Sequence, residues 1–398
     1  MSRFRMYPSH AQQTALSEQC RFARYVWNLA LEQWSMWTRD RGPTPGFAEQ
    51  CRQLTEARAE FAWLRAGSQM VQQQALRDFS QAISNFCAGT HRRPTWRKAG
   101  LHEGFRICGS QASRVVKLNR KWAQVLVPKV GWVRFRVSRA VPAAKSYRIS
   151  QDRTGRWHIA FAVIPPAISA PGTGEIVGVD RGVSVSAALS TGELLTCPGL
   201  SERERDRLEH LQRRLARCRR GSARRQRVKA AITKLHARAT DRRKDWVEQT
   251  STDLARRFDI IRVEDLRISR LVKRPNIEPD PARPGRYLPN GRRAKAGLNR
   301  GILANGWGEL VRRLEGKAPG RVEKINPAYT SQTCSSCGYC ASENRESQAV
   351  FRCVACGQQT HADVNAAINI AAGRAVSARR ETPPRVSLKR EPQLPTSA

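Results

Sequence analysis

Four cysteines set out as two pairs offer the most specific chemistry in the chain: Cys334-x2-Cys337, fifteen residues, then Cys353-x2-Cys356. Thiolates are soft donors, and two such pairs at this spacing suit one tetrahedral zinc ion with every position filled, a structural site. A glycine follows each pair (Gly338, Gly357) and permits a tight turn that can aim backbone amides at sulfur. Cys340 opens a second register, Cys337-x2-Cys340, but Ala341 stands where that turn would want glycine. The other six cysteines, Cys20, Cys51, Cys87, Cys108, Cys197 and Cys218, are scattered singly and read as small core residues in a reducing cytosol.

Carboxylates are scarce, 33 against 71 Lys and Arg, so their placement is informative. Asp180 closes the apolar run Ile176-Val177-Gly178-Val179-Asp180, and Glu264 lies in Ile260-Ile261-Arg262-Val263-Glu264-Asp265-Leu266. A carboxylate at the end of an apolar strand is costly to desolvate unless a cation is held nearby. Taken singly, either acid is satisfied by a salt bridge to one of the many bases. A third acid changes the balance: Asp363 opens Asp363-Val364-Asn365-Ala366-Ala367-Ile368-Asn369-Ile370, a helix whose Ala366 and Ala367 permit close approach to a sheet. Two acids on strands and one on a helix are the set used by nucleases of the RNase H type. Hard oxygen donors select Mg2+ or Mn2+, and two such ions about 3.5–4 Å apart activate a water and stabilise the leaving oxygen of a phosphodiester.

The elements that must position these groups follow from periodicity. Leu16, Cys20, Ala23, Trp27, Ala30, Trp34 and Trp37 recur at spacings of four and three, one face of a helix. After a break at 42–46, a second helical stretch is predicted over 49–86. From Pro94 the period changes to two, with Val133, Phe135 and Val137 alternating with Arg134, Arg136 and Ser138, which predicts a small antiparallel sheet or barrel with a basic wet face. A Pro/Gly linker at 165–174 leads to a strand over 175–182, a second over 183–189 and a hairpin turn at Thr191-Gly192. Residues 201–245 read as a helical hairpin interrupted at Gly221-Ser222. A strand over 260–266, a Pro/Arg/Gly-rich mobile loop to about Arg300, a helix over 303–314 and a short helix over 362–372 complete the pattern.

The 398 residues allow two to three domains. The net charge of +38 exceeds what solubility needs and calls for a polyanionic partner, nucleic acid before any small acidic substrate. Between Arg203 and Lys244 stand 17 Lys or Arg against four acids, too many for intrahelical ion pairs. With 40% hydrophobic residues and ten tryptophans the chain is expected to form packed domains and not a basic tail. The opening residues lack a signal-peptide core and no run of about 18 apolar residues occurs, so a soluble, cytoplasmic, nucleoid-associated protein with no membrane partner is expected.

Four segments in order resemble the TnpB family of insertion-sequence-encoded RNA-guided DNA endonucleases, relatives of type V CRISPR effectors: Gly178-Val179-Asp180-Arg181-Gly182, Val263-Glu264-Asp265-Leu266, Thr330-Ser331-Gln332-Thr333-Cys334-Ser335-Ser336-Cys337-Gly338 and 363–370. Weaker likeness extends to Tyr7-Pro8, to 23–28 and to Val127-Pro128-Lys129-Val130-Gly131. The resemblance implies a multidomain α+β protein: a first wedge strand at 1–8, a helical recognition lobe at 9–93, a β-barrel wedge domain at 94–170, an RNase H-like (RuvC) α/β nuclease domain at 171–372 with a zinc ribbon inserted at 330–360, and a disordered basic tail at 373–398. It implies Asp180, Glu264 and Asp363 as catalytic ligands of two Mg2+ (or Mn2+) ions and Cys334, Cys337, Cys353 and Cys356 as ligands of one Zn2+. A guide RNA from the transposon end and target double-stranded DNA beside a short transposon-adjacent motif are the implied partners of a monomer. A silent guided repressor and a cutting-and-joining transposase are the competing readings; the presence of all three acids weighs against the first. The family often carries Asp-Arg-Asp where this chain has His361-Ala362-Asp363, and an aromatic where Gly316 stands. The first difference leaves Asp363 in place and makes His361 a polar neighbour of the site, not a ligand.

Overall fold

The computed structural model describes residues 2–36, 44–277, 279–283 and 285–373. Trp37, the start of the expected 42–46 break and the tail from Arg374 lie outside the described residues. The chain divides into two compact units, Met1–Pro166 with Glu202–Ala237, and Ala167–Ser201 with Arg238–Ala398. No described helix is long and apolar enough to cross a membrane.

In the first unit β1 (Ser2–Arg5) leads into α1 (His10–Ser35), which starts on a reciprocal capping box between Ser9 and Gln12. Leu16, Cys20, Ala23, Trp27 and Ala30 are buried on one face, as their spacing predicts, and Trp34 packs half-buried on the same core. The stretch read as one helix over 49–86 is three: α2 (Phe47–Glu60), α3 (Ala62–Ala66) and α4 (Gln69–Cys87). It breaks because the backbone is extended at Phe61 and Gly67; the freed carbonyls of Leu64 and Gly67 accept from the Arg58 guanidinium at 2.9 and 3.1 Å.

The strands β2 (Gly104–Cys108), β3 (Val115–Lys117), β4 (Trp122–Val127), β5 (Gly131–Arg136), β6 (Ser146–Gln151) and β7 (Trp157–Phe161) follow. They pair as two antiparallel sheets, ordered β1-β7-β6-β2 and β3-β4-β5, which meet at a bridge between Met6 and Phe135. On β5, Val133 and Phe135 are buried while Trp132, Arg134 and Arg136 face water, the expected alternation. Two helices, α5 (Glu202–Arg217) and α6 (Ala223–Arg257), form the expected hairpin about Gly221-Ser222; from Arg238 onward α6 belongs to the second unit.

The second unit is built on β8 (Ile176–Asp180), β9 (Ala187–Leu189), β10 (Leu194–Leu195), β11 (Ile260–Glu264) and β12 (Val322–Ile325), ordered β10-β9-β8-β11-β12. β11 runs parallel to both β8 and β12, while the β8–β9 and β9–β10 pairs are antiparallel, giving the mixed α/β layer expected of an RNase H-like unit. The second strand, read over 183–189, begins only at Ala187, because the Asn305 amide and the Trp307 indole bind the carbonyls of Val183 and Gly182 at 2.8 and 3.2 Å and hold them out of the ladder. The segment read as a loop to Arg300 contains α7 (Ile268–Leu271) and α8 (Arg292–Ala304), whose apolar anchor Ile302 is hidden among basic residues and glycines in the sequence. The helix expected over 303–314 is α9 (Trp307–Lys317), which starts after Gly306 in a left-handed conformation (φ 68°).

The core of this unit sits on one face of the sheet, where Val177, Val179, Ile261 and Val263 meet Val247 and Leu254 of α6, Phe258 just after it, and Leu310 and Leu314 of α9. Strand alternation turns Gly178, Asp180, Arg262 and Glu264 to the other face. There lies α10 (Ala362–Ala371), preceded by the β13 (Val350–Arg352) and β14 (Gln359–His361) hairpin. The approach is close: a Cβ on Gly178 would stand 2.0 Å from the Ala367 carbonyl oxygen and 2.4 Å from the Ala371 amide nitrogen.

Candidate active site

Asp180 and Glu264 each follow the last pair of the parallel β8–β11 ladder, Val179 and Val263, so the two carboxylates leave adjacent strands side by side. Their carboxyl groups lie close enough to act directly on one another. Burial, and then the charges of Glu264 and Asp363, push the Asp180 carboxyl up to about 7. Burial likewise raises Glu264, against the opposing pull of the Thr330 hydroxyl, which donates to its Oε1 at 3.1 Å, and of Arg181. Arg181 is itself buried and donates through Nη2 to the Glu264 carbonyl, tying the end of β8 to the end of β11.

Asp363 comes from the first turn of α10 and is 8% exposed. Its own amide donates to His361 Nδ1 at 3.2 Å, so His361 is the N-cap of the helix that carries the third acid. One carboxylate oxygen of Asp363 accepts from Arg345 Nη2 at 3.2 Å. The other faces Gly182, where a Cβ would stand 3.7 Å away. At the far end of α10, Arg262 donates to the Ala371 carbonyl at 2.5 Å and pairs with Glu323 at 2.7 Å. The helix is thus pinned at both ends over the face that bears Asp180 and Glu264.

The four cysteines are gathered more tightly than the acids. Among the described residues, Cys334, Cys337, Cys353 and Cys356 are the one group of three or more such side chains whose ligand atoms all lie within 4.8 Å of each other. The Sγ pairs Cys334–Cys356 and Cys337–Cys353 are 3.7 and 3.6 Å apart. A zinc tetrahedron with bonds of about 2.3 Å has edges of about 3.8 Å, so the quartet fits zinc. The Cys356 amide points at Cys353 Sγ and, with that of Ala355, lowers this thiol to about 7. Gly338 and Gly357 have φ of 78° and 72°, the left-handed turns their positions predict. Cys340 stands outside the quartet, bridged to Thr333, which decides the register.

Two buried asparagines join this knuckle to the acids. Asn365 donates to the Thr333 carbonyl at 2.7 Å and accepts from the Ser335 amide at 2.9 Å. Asn369, one turn on, donates to the Thr330 and Thr333 carbonyls at 2.9 and 2.7 Å. Thr330 then reaches Glu264, so one chain of hydrogen bonds runs from the first cysteine pair to an acid on β11. The sequence reading singled out the 363–370 motif for its acid and its alanines and missed these roles. The i, i+4 spacing of Asn365 and Asn369 on one face of the helix was the available signal. No comparable signal marks Arg345 among so many bases.

Three family models match the chain: "Probable transposase" over residues 158–274, "Cas12f1-like, TNB domain" over 307–370 and "Helix-turn-helix domain" over 2–42. It is 33% identical over 385 residues to "Putative RNA-guided DNA endonuclease InsQ" of Escherichia coli (strain K12), covering 94% of this chain and 92% of that one. It is 30% identical to "Putative RNA-guided DNA endonuclease" of Streptomyces pristinaespiralis, covering 99% and 96%. In fold it is similar to the protein chain in "Cryo-EM structure of the Cas12f1-sgRNA-target DNA complex", with a TM-score of 0.55, 12% identity, and 90% and 83% of the two chains covered.

Proposed function

Because the chain belongs to the TnpB family of IS605-type proteins, related to Cas12f, we propose that it is an RNA-guided DNA endonuclease of a transposable element. The observation that carries this reading is the convergence of Asp180, Glu264 and Asp363 on one sheet face from three distant parts of the chain. A buried carboxyl at Asp180, pushed up by burial and by the charges of Glu264 and Asp363, asks for a cation, and an all-oxygen donor set suits Mg2+ or Mn2+. These three residues would hold the divalent ions, which when bound activate water and stabilise the leaving oxygen of a phosphodiester. Thr330 and Arg181 fix Glu264, His361 orients the first turn of α10, and Arg345 offers a guanidinium where charge develops on the phosphate.

In this reading the four cysteines hold one structural zinc, residues 9–93 form the recognition lobe, 94–170 the wedge and 171–372 the nuclease domain. A guide RNA encoded at the transposon end pairs with target DNA next to a short adjacent motif. The chain then holds the heteroduplex by its backbone while base pairing supplies specificity. The working particle is a monomer on guide RNA in a prokaryotic cytosol. The test is to purify the protein, sequence the RNA bound to it, and assay cleavage of a plasmid matching that RNA with Mg2+ present. RNA-dependent cutting, lost in Asp180→Ala, is expected. Sequence-directed binding without cutting supports a silent repressor, and cutting with joining of DNA ends in the absence of RNA supports a transposase.

A further inference from the structure

The hairpin of α5 and α6 separates two stripes along α5. Leu208, Leu211 and Leu215 turn inward, Leu211 being 8% exposed, while His210, Arg213, Arg214 and Arg217 follow the i, i+3, i+4, i+7 spacing of a second face. Across the turn, Arg219 and Arg224 close the same space, and together these side chains line a cavity of about 860 Å³ that has no acidic residue in its wall. Arg213 pairs with Glu209 at 3.3 Å; among the described residues Arg214, Arg217, Arg219 and Arg224 have no acidic partner.

The turn that gathers these charges is held from within. Arg225 folds back and donates to the carbonyls of Leu215 and Cys218 at 2.8 and 3.2 Å, occupying acceptors at the end of α5 whose partial negative charge would oppose an anion. The Ser222 hydroxyl accepts from the Arg225 amide at 3.2 Å and donates to the Arg219 carbonyl at 2.9 Å. Five guanidiniums held around one cavity repel each other unless a multivalent anion lies between them, and planar forks match phosphate oxygens two at a time.

We propose that the elbow of this hairpin is a preformed phosphodiester-binding bay that seats two or three consecutive phosphates of a nucleic-acid strand. It is a discrete site within the basic surface, and it stands independently of the nuclease reading, since it requires only binding.

The experiment measures affinity against salt for the full-length protein with three probes of arbitrary sequence: a 24-nucleotide single-stranded DNA, a 24-base-pair DNA duplex and a 24-base-pair RNA duplex. Each phosphate contact contributes about 0.7–0.9 to the slope of log K against log salt. The combined variant Arg214→Gln, Arg217→Gln, Arg219→Gln is compared with an equal loss of charge outside the bay, Arg207→Gln, Arg227→Gln, Lys229→Gln. The bay variant is expected to lose about 2 in slope on the probe it seats, at least twice the loss of the control, and the probe most affected identifies the strand type. Equal losses in the two variants on every probe would overturn the proposal, because they mean diffuse charge. Melting curves check the fold; if the triple variant is impaired, Arg214→Gln and Arg217→Gln singly are each expected to lose about 0.7–0.9, and no loss in either has the same overturning force. A protein that never cuts DNA but passes this test refutes the nuclease reading alone.

Discussion

Asn369→Leu removes both of the hydrogen bonds that the end of α10 makes to the segment before the cysteines, while keeping the number and branching of the side-chain heavy atoms. The Thr333 carbonyl keeps its second partner, Asn365, so there the loss is one hydrogen bond, about 0.5–1.5 kcal/mol net. The Thr330 carbonyl, in a residue 1% exposed, loses the Asn369 amide, and an unsatisfied buried acceptor costs about 1–3 kcal/mol. The sum is about 2–4 kcal/mol. It falls on the docking of the ribbon, so the readout is zinc released to a chromophoric chelator as urea rises. With an m-value of about 2 kcal/mol/M, the release midpoint moves down by about 1–2 M. Cleavage falls with it, because Thr330 no longer holds Glu264. Ile368→Ala, on the solvent side of the same helix at 36% exposure, is the control and leaves the midpoint in place. An unshifted midpoint in Asn369→Leu, or an equal shift in both variants, refutes the coupling.

Asp180→Asn, Glu264→Gln and Asp363→Asn are each expected to lower RNA-directed cleavage by about 10²–10³-fold or more, measured on a plasmid substrate, with filter binding of the bound RNA unchanged. Asp180 titrates near 7 in the folded chain against about 4 unfolded, so the folded, metal-free protein holds an extra proton between these values and loses stability as pH rises through them. Mn2+ must displace that proton, so its apparent affinity by calorimetry should weaken as pH falls below about 7, and this dependence should be reduced in Asp180→Asn. Gly178→Ala places a methyl against the backbone of Ala367 and Ala371; about 3 kcal/mol of destabilisation is expected by chemical denaturation, with cleavage lost as α10 is displaced.

The acids and the cysteines were legible because each contradicts its surroundings: a carboxylate ending an apolar strand in a basic chain, and thiols at fixed spacing. Period-two alternation then put Asp180 and Glu264 on the face that Gly178 leaves open to a helix, and the small residues Ala366 and Ala367 marked that helix. What escaped the reading depends on partners remote in sequence. Arg345 looks like any other base until Asp363 is folded beside it, and Val183 leaves its strand because Asn305, over a hundred residues later, takes its carbonyl. The helix over 292–304 was hidden for a different reason: its glycines and charges outweigh one buried isoleucine, which only tertiary packing rewards.

The position of α10 has a consequence for the order of synthesis. Asp180 and Glu264 are made early enough to form their strand pair, but the helix that covers Gly178 and brings Asp363 is the last described element of the chain. At about 5–20 residues per second, the interval from Asp180 to Asp363 takes about 10–40 s. During that time the ribosome displays a basic chain whose residues 1–166 are already made while the third acid does not yet exist. On the proposed nuclease reading, nucleic acid captured by the nascent protein would be held before the third acid of the site exists.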